Sequence, residues 1–114
     1  MIDFYLDSDS IEAGSELNGS CIWTPHTRKN EKPLNLEIGW RTEGKGISDE
    51  ETLFKTEIRA SERTYFKSQI PIAGPVSYDG HLIRIIWEIR VSSSKFFVLK
   101  DVVKAQVLRV IPRQ

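Results

Sequence analysis

This chain has one cysteine in 114 residues, and that scarcity closes several routes at once. A lone Cys21 excludes an internal disulfide, which makes a reducing compartment, the cytoplasm, the expected location. Histidine is almost as rare. His26 and His81 stand far apart, and with Cys21 they fall short of the four closely spaced ligands that a structural zinc site uses. We therefore expect no metal and no other cofactor. A charge excess is also absent, because sixteen basic residues balance sixteen acidic ones. Without a basic surplus there is no electrostatic footprint for nucleic acid or an anionic membrane. No apolar run approaches the roughly 20 residues that span a bilayer. The opening "MIDFYLDSDS" carries acids but neither the basic nor the apolar region of a signal peptide. The expectation is a soluble protein with no membrane insertion. Its ordinary 39% apolar and 28% charged content suits one folded domain over residues 1–114.

Helical periodicity is missing as well. No stretch keeps apolar residues at 3.6-residue spacing over three turns. What the chain has instead is two-residue alternation, the mark of a half-buried strand. From 81 to 91, Ile83, Ile85, Trp87, Ile89 and Val91 define an inner face, with Arg84, Glu88 and Arg90 on the outer one. Leu34, Leu36, Ile38 and Trp40 alternate with polar or small residues, and Thr64, Phe66, Ser68 and Ile70 do the same. Further runs at 2–6, 17–24 and 52–58 complete the set, and 102–111, with Lys104, Gln106 and Arg109 among valines, reads as a strand with less clear sidedness. The segment 47–63 is charged enough to start a helix at "SDEE", yet Thr52, Phe54, Thr56 and Ile58 alternate, so strand is the preferred reading. Gly, Pro, Asn and Ser clusters punctuate the runs. Pro71 and Pro75 predict an extended connector, and Asp79-Gly80 a turn with a residue tolerant of positive φ ahead of the long strand. Seven or eight short strands imply an all-β fold, an antiparallel, immunoglobulin-like sandwich. Asn18-Gly19 falls inside one predicted strand. Either it is a hairpin turn, or Gly14 turns the chain and Gly19 is a strand glycine at a close contact.

Side chains with chemical potential are dispersed. Cys21, two residues from Trp23, reads as a small core residue with no base or orienting acid nearby. Serines in "GSE", "GSC" and "SSS" lack the strand–elbow–helix setting of a hydrolase nucleophile. "TEGKG" lacks the full spacing of a phosphate loop and reads as a hairpin turn. Asp49, Glu50 and Glu51 lack the alternating oxygen donors of a calcium loop. His81, at a strand entry, reads as a solvent-exposed residue. Nothing assembles an acid, a base and a nucleophile, so a non-enzymatic protein is expected.

Three stretches together resemble the arrestin family. "IEAGSELNGSCIW" has the extended residue, Gly turn, apolar residue and second Gly of its early pattern. "LNLEIGWRTEGKG" matches a central strand and its glycine-rich exit, and "FKSQIPIAGPVSYDGHLIRIIWEIRV" matches the later landmark of aromatic, apolar-Pro, Pro-x-Ser-Tyr, Gly and long strand. The likeness runs from about Ile11 to Val91. It implies an arrestin-like β-sandwich that binds proteins without catalysis, with Gly14 as the turn and Gly19 within a strand. The chain departs from the family in fitting one sandwich rather than two in tandem. It also lacks a Pro-Pro-x-Tyr motif, a C-terminal regulatory tail and a recognisable acidic/arginine polar core.

These readings converge on a protein-interaction or scaffold module acting through an open sheet edge or an exposed sheet face. The expected partner is another protein or a second copy of this chain as a homodimer. Candidate contact residues are Leu82 and Ile86, which interrupt the charged outer face of the 81–91 strand. Phe96, Phe97, Val98 and Leu99 of the lysine-flanked "KFFVLK" join them. The alternative is a small-ligand or carbohydrate-binding sandwich stacking a ring on Trp23, Trp40 or Trp87. It requires an exposed tryptophan in a concavity.

Overall fold

Alternating sequence becomes paired strands throughout. The computed structural model describes residues 1–8, 10–25, 32–44, 46, 48–95 and 99–113. Nine strands and no helix occur among them. In chain order they are β1 (Ile2–Leu6), β2 (Ser10–Glu12), β3 (Glu16–Trp23), β4 (Leu34–Gly44), β5 (Glu50–Ile58), β6 (Arg63–Gln69), β7 (Tyr78–Asp79), β8 (Ile83–Lys95) and β9 (Leu99–Ile111). The segment with a helix-like start is strand β5.

The strands form two sheets. One has the order β1-β3-β6. The other runs β2-β9-β8-β4-β5, with β7 paired to the start of β8. Between them lies the apolar core. Leu17, Cys21 and Phe66 of the small sheet meet Leu36, Ile38, Trp87, Ile89, Val91, Leu108 and Val110 of the large one. Every second residue of each central strand thus leaves water, which is the arrangement that stabilises stacked sheets. The fold is a largely antiparallel β-sandwich.

Four details differ from the sequence reading. The strand count is nine rather than seven or eight among the described residues, because β2 and β7 are too short to show a period. The β2–β9 pair is parallel, with Ile11 opposite Val110. The connector after β6 is not simply extended, since the Gly74 N–H turns back to the Pro71 carbonyl. The Asp79-Gly80 turn is present, with the Gly80 N–H donating to the Ile83 carbonyl at 3.0 Å. Gly80 is not among the positive-φ residues. What it supplies is room, because a Cβ there would strike the Tyr78 ring.

The two early glycines fall as the family pattern implies. Gly14 has φ 87° and sits in the β2–β3 turn, its N–H donating to the Ile70 carbonyl at 2.8 Å. Gly19 lies within β3, opposite Phe66. Pro75 also gains a role the sequence did not show. Its carbonyl accepts the indole N–H of the fully buried Trp87 at 3.0 Å, which satisfies the one polar atom of that side chain.

Candidate interaction surface

The outer face of the large sheet carries two unlike halves. Toward β5 it is ionic. Glu37 of β4 stands directly opposite Lys55 on one side and Arg90 on the other, in both sheet registers. Glu88 accepts from Arg41 Nε at 2.9 Å and lies 3.6 Å from Arg90, while Arg41 also holds Glu43 at 2.6 Å. The hydrogen bond from Arg41 keeps the Glu43 carboxyl below its usual range. Arg84 completes the chain, pairing with Glu43 and with Asp79 at 3.0 Å.

This network corrects the sequence reading at two points. Glu88 was expected on an exposed row, yet it is only 5% exposed, and Glu37 only 3%. Alternation assigns a side chain to a side of the sheet but says nothing of what folds over it, and here arginine side chains from β4 and β8 do so. A buried acid–arginine cluster therefore exists where no linear motif announced one. Its members come from β4, β5 and β8, so only the pairing brings them together. Its charges are matched, and it supplies no nucleophile.

Toward β9 the same face turns apolar. Glu88 and Arg90 stand opposite Val107 and Ala105, and Ile86, half-buried, precedes them on β8. Ile86 and Val107 help to line an open groove of ≈ 620 Å³ whose walls include Arg41, Arg84, Arg109 and Tyr78. Val102, Val103 and Val107 are 55%, 53% and 63% exposed. A second concavity, of ≈ 670 Å³, is lined by Tyr5, Leu6, Gly19, Phe54, Tyr65 and Phe66, with no cluster of charge.

The edge of β9 is open as well. Val110 exchanges hydrogen bonds with Ser77 on the β7 side: its N–H donates to Ser77 Oγ at 2.8 Å, and its carbonyl accepts the Ser77 N–H at 2.8 Å. The Ile111 carbonyl accepts from Ala13 on the opposite, β2 side. Main-chain groups alternate in direction along a strand. Those of Leu108 and Gln106 therefore face β8, and those of Val107 and Ala105 face away from it. Strand β2 covers only Arg109–Ile111. The N–H and C=O of Ala105 and Val107 thus have no strand partner among the described residues.

Lysines on an edge usually repel a second strand. Lys104 does not. Its side chain folds inward, donating to the Ile2 carbonyl at 2.6 Å and lying over the Phe4 ring. The other unpaired edges keep their charges. β5 carries Glu50, Glu51, Lys55 and Glu57, and β6 carries Arg63 and Lys67.

The sequence candidates scatter over this picture. Ile86 belongs to the apolar half of the face. Leu82 is 72% exposed but precedes β8, at the far end from the Val102–Val107 segment. Leu99 opens β9, and Phe96, Phe97 and Val98 lie outside the described residues. Ile83, assigned to the inner face, is 40% exposed at the strand's entry. Val102, Val103 and Val107 were missed as surface residues. "DVVKAQVLRV" was read as strand without clear sidedness, and a register shift in β9 explains why. Val91 pairs with Lys104 and Ser92 with Val102, so Val103 is an extra, bulged residue that breaks the period. Among the described residues no His, Cys, Asp and Glu group is placed to hold a metal ion, and His81 is exposed. The position of His26 lies outside the described residues. No helix among the described residues is long and apolar enough to cross a membrane.

Comparison with known proteins locates the fold. No family model matches the chain, and no curated protein does. Among solved structures it is similar to Spo0M, the sporulation control protein of Bacillus subtilis. The TM-score is 0.56 and the identity 13%, over 98% of this chain and 49% of that one. The chain thus spans about half the length of that structure. At this identity the likeness carries the fold alone, an arrestin-like sandwich.

Proposed function

We propose that this arrestin-like sandwich acts as a non-enzymatic protein-interaction module. Its contact element is the open edge of β9. The observation that carries this reading is the pair of outward-facing residues Ala105 and Val107, without a strand partner among the described residues, beside exposed valines and a lysine withdrawn from the edge. An extended segment laid along β9 completes the hydrogen bonds of those residues and covers their side chains. The stacking alternative has no comparable support: Trp23 and Trp87 are buried, and Trp40 is half-buried against the core. Burial also argues against Cys21 as a nucleophile, since desolvation pushes its thiol pKa up.

Ala105→Pro tests the edge. It removes an N–H that faces away from β8, a substitution edge strands tolerate. Used as bait against extract of the native host, the wild type retains its associated proteins, and folded Ala105→Pro loses them. Equal retention by both would refute the edge as the contact element.

A further inference from the structure

We infer that the occupant of this edge is β9 of a second copy, antiparallel to the first, with the two-fold axis passing beside Gln106. The inference rests on the edge reading above and names its partner.

The free, regular part of the edge is bounded at both ends. Strand β2 takes the edge from Arg109 onward, and the bulge at Val103 ends the regular pairing on the other side. What remains is Lys104–Leu108, whose midpoint is Gln106. An antiparallel two-fold pairing about that midpoint sets Ala105 of each copy opposite Val107 of the other. Those are the residues whose main-chain groups face outward. Each such pair exchanges two hydrogen bonds, so every unpartnered group of the stretch is satisfied. On the outer face the small Ala105 lies against the exposed Val107 of the other copy in both pairs. The two Gln106 amides meet across the axis, each with both donor and acceptor capacity.

The ends also fit. In this register Val103 of one copy comes opposite Arg109 of the other, where β2 already occupies the edge. A bulged strand bends, so the chain departs from the ladder at the point where a straight strand would collide with β2. A generic extended segment has no such bend at that position. Charge does not oppose the contact, since the chain is neutral overall and Lys104 is tied to Ile2. A two-fold contact of this kind is self-limiting and closes as a dimer.

Cysteine cross-linking tests the register. Directly opposed residues in a non-hydrogen-bonded antiparallel pair have Cα atoms about 4.5 Å apart, within the range a disulfide spans. Under mild oxidation Gln106→Cys is expected to form a covalent dimer. Ala105→Cys, offset from its own copy, and Tyr65→Cys, exposed on the small sheet, are expected to give only background. Cys21 is fully buried and does not contribute. The unmodified chain at ~100 μM, well above a micromolar dissociation constant, should have twice the chain mass by light scattering. Ala105→Pro, with its β-sheet circular dichroism intact, should have the monomer mass. A monomeric wild type, or equal cross-linking by all three cysteine variants, overturns the dimer. The bait comparison reports separately on the edge, so a monomer whose associations still depend on Ala105 would leave the edge reading standing and this one refuted.

Discussion

At the scale of single residues, the largest energetic difference lies between the two faces of β8. Trp87 is fully buried, and its indole N–H is satisfied by Pro75. Trp87→Ala should destabilise the fold by roughly 3–5 kcal/mol, through lost packing and the cavity left behind. Arg84 is half-exposed and pairs with two exposed carboxylates. Such surface pairs contribute little, so Arg84→Ala should change stability by no more than about 0.5 kcal/mol. Urea unfolding of the two variants measures the contrast, and similar midpoints would contradict the assignment of faces. Trp87 was legible because its neighbours Ile89 and Val91 keep the period of two. Glu88 was not. Its place among charged neighbours suggests solvent, and its burial depends on Arg41, which is 47 positions away in the chain and folds over it from β4.

At the scale of elements, long strands were readable and short ones were not. Five or more alternating residues identify β1, β3, β4, β5, β6 and β8, because one face of each meets the core, whereas β9 shows only a valine-rich run of mixed period. Strands β2 and β7, of three and two residues, hold no period, and their pairing depends on partners far along the chain. The parallel β2–β9 contact joins Ile11 to Val110, which local sequence does not encode. The ambiguity at Asn18-Gly19 was resolved by close packing. A Cβ at Gly19 would meet the Tyr5 carbonyl oxygen at 2.7 Å and the Phe66 ring at 2.8 Å. Gly19→Ala should therefore cost about 1–3 kcal/mol, as overpacking usually does, although alanine raises intrinsic strand propensity little. Thermal unfolding provides the check. An unchanged or raised midpoint would show that β1 and β6 shift apart freely at this point.

At the scale of the whole molecule, the sandwich buries one face of each sheet and leaves the remaining edges to be managed individually. β5 and β6 are guarded by charge, and β1 has its Ile2 carbonyl capped by Lys104. Among the described residues, only the middle of β9 combines exposed valines with free main-chain groups. The sequence pointed to the lysine-flanked "KFFVLK" as contact material, but not to these residues. The bulge at Val103 erased the period, and the inward fold of Lys104 is a tertiary contact over 102 positions. Amide hydrogen exchange, resolved by residue with NMR, tests the role of this edge most directly. Gln106 and Leu108 donate toward β8 and should be protected at every concentration. Ala105 and Val107 should exchange freely at about 1 μM and become protected toward ~200 μM, as association across a micromolar dissociation constant requires. Protection of Ala105 and Val107 that stays constant over this range, while amides of β5 or β6 respond instead, would contradict the account.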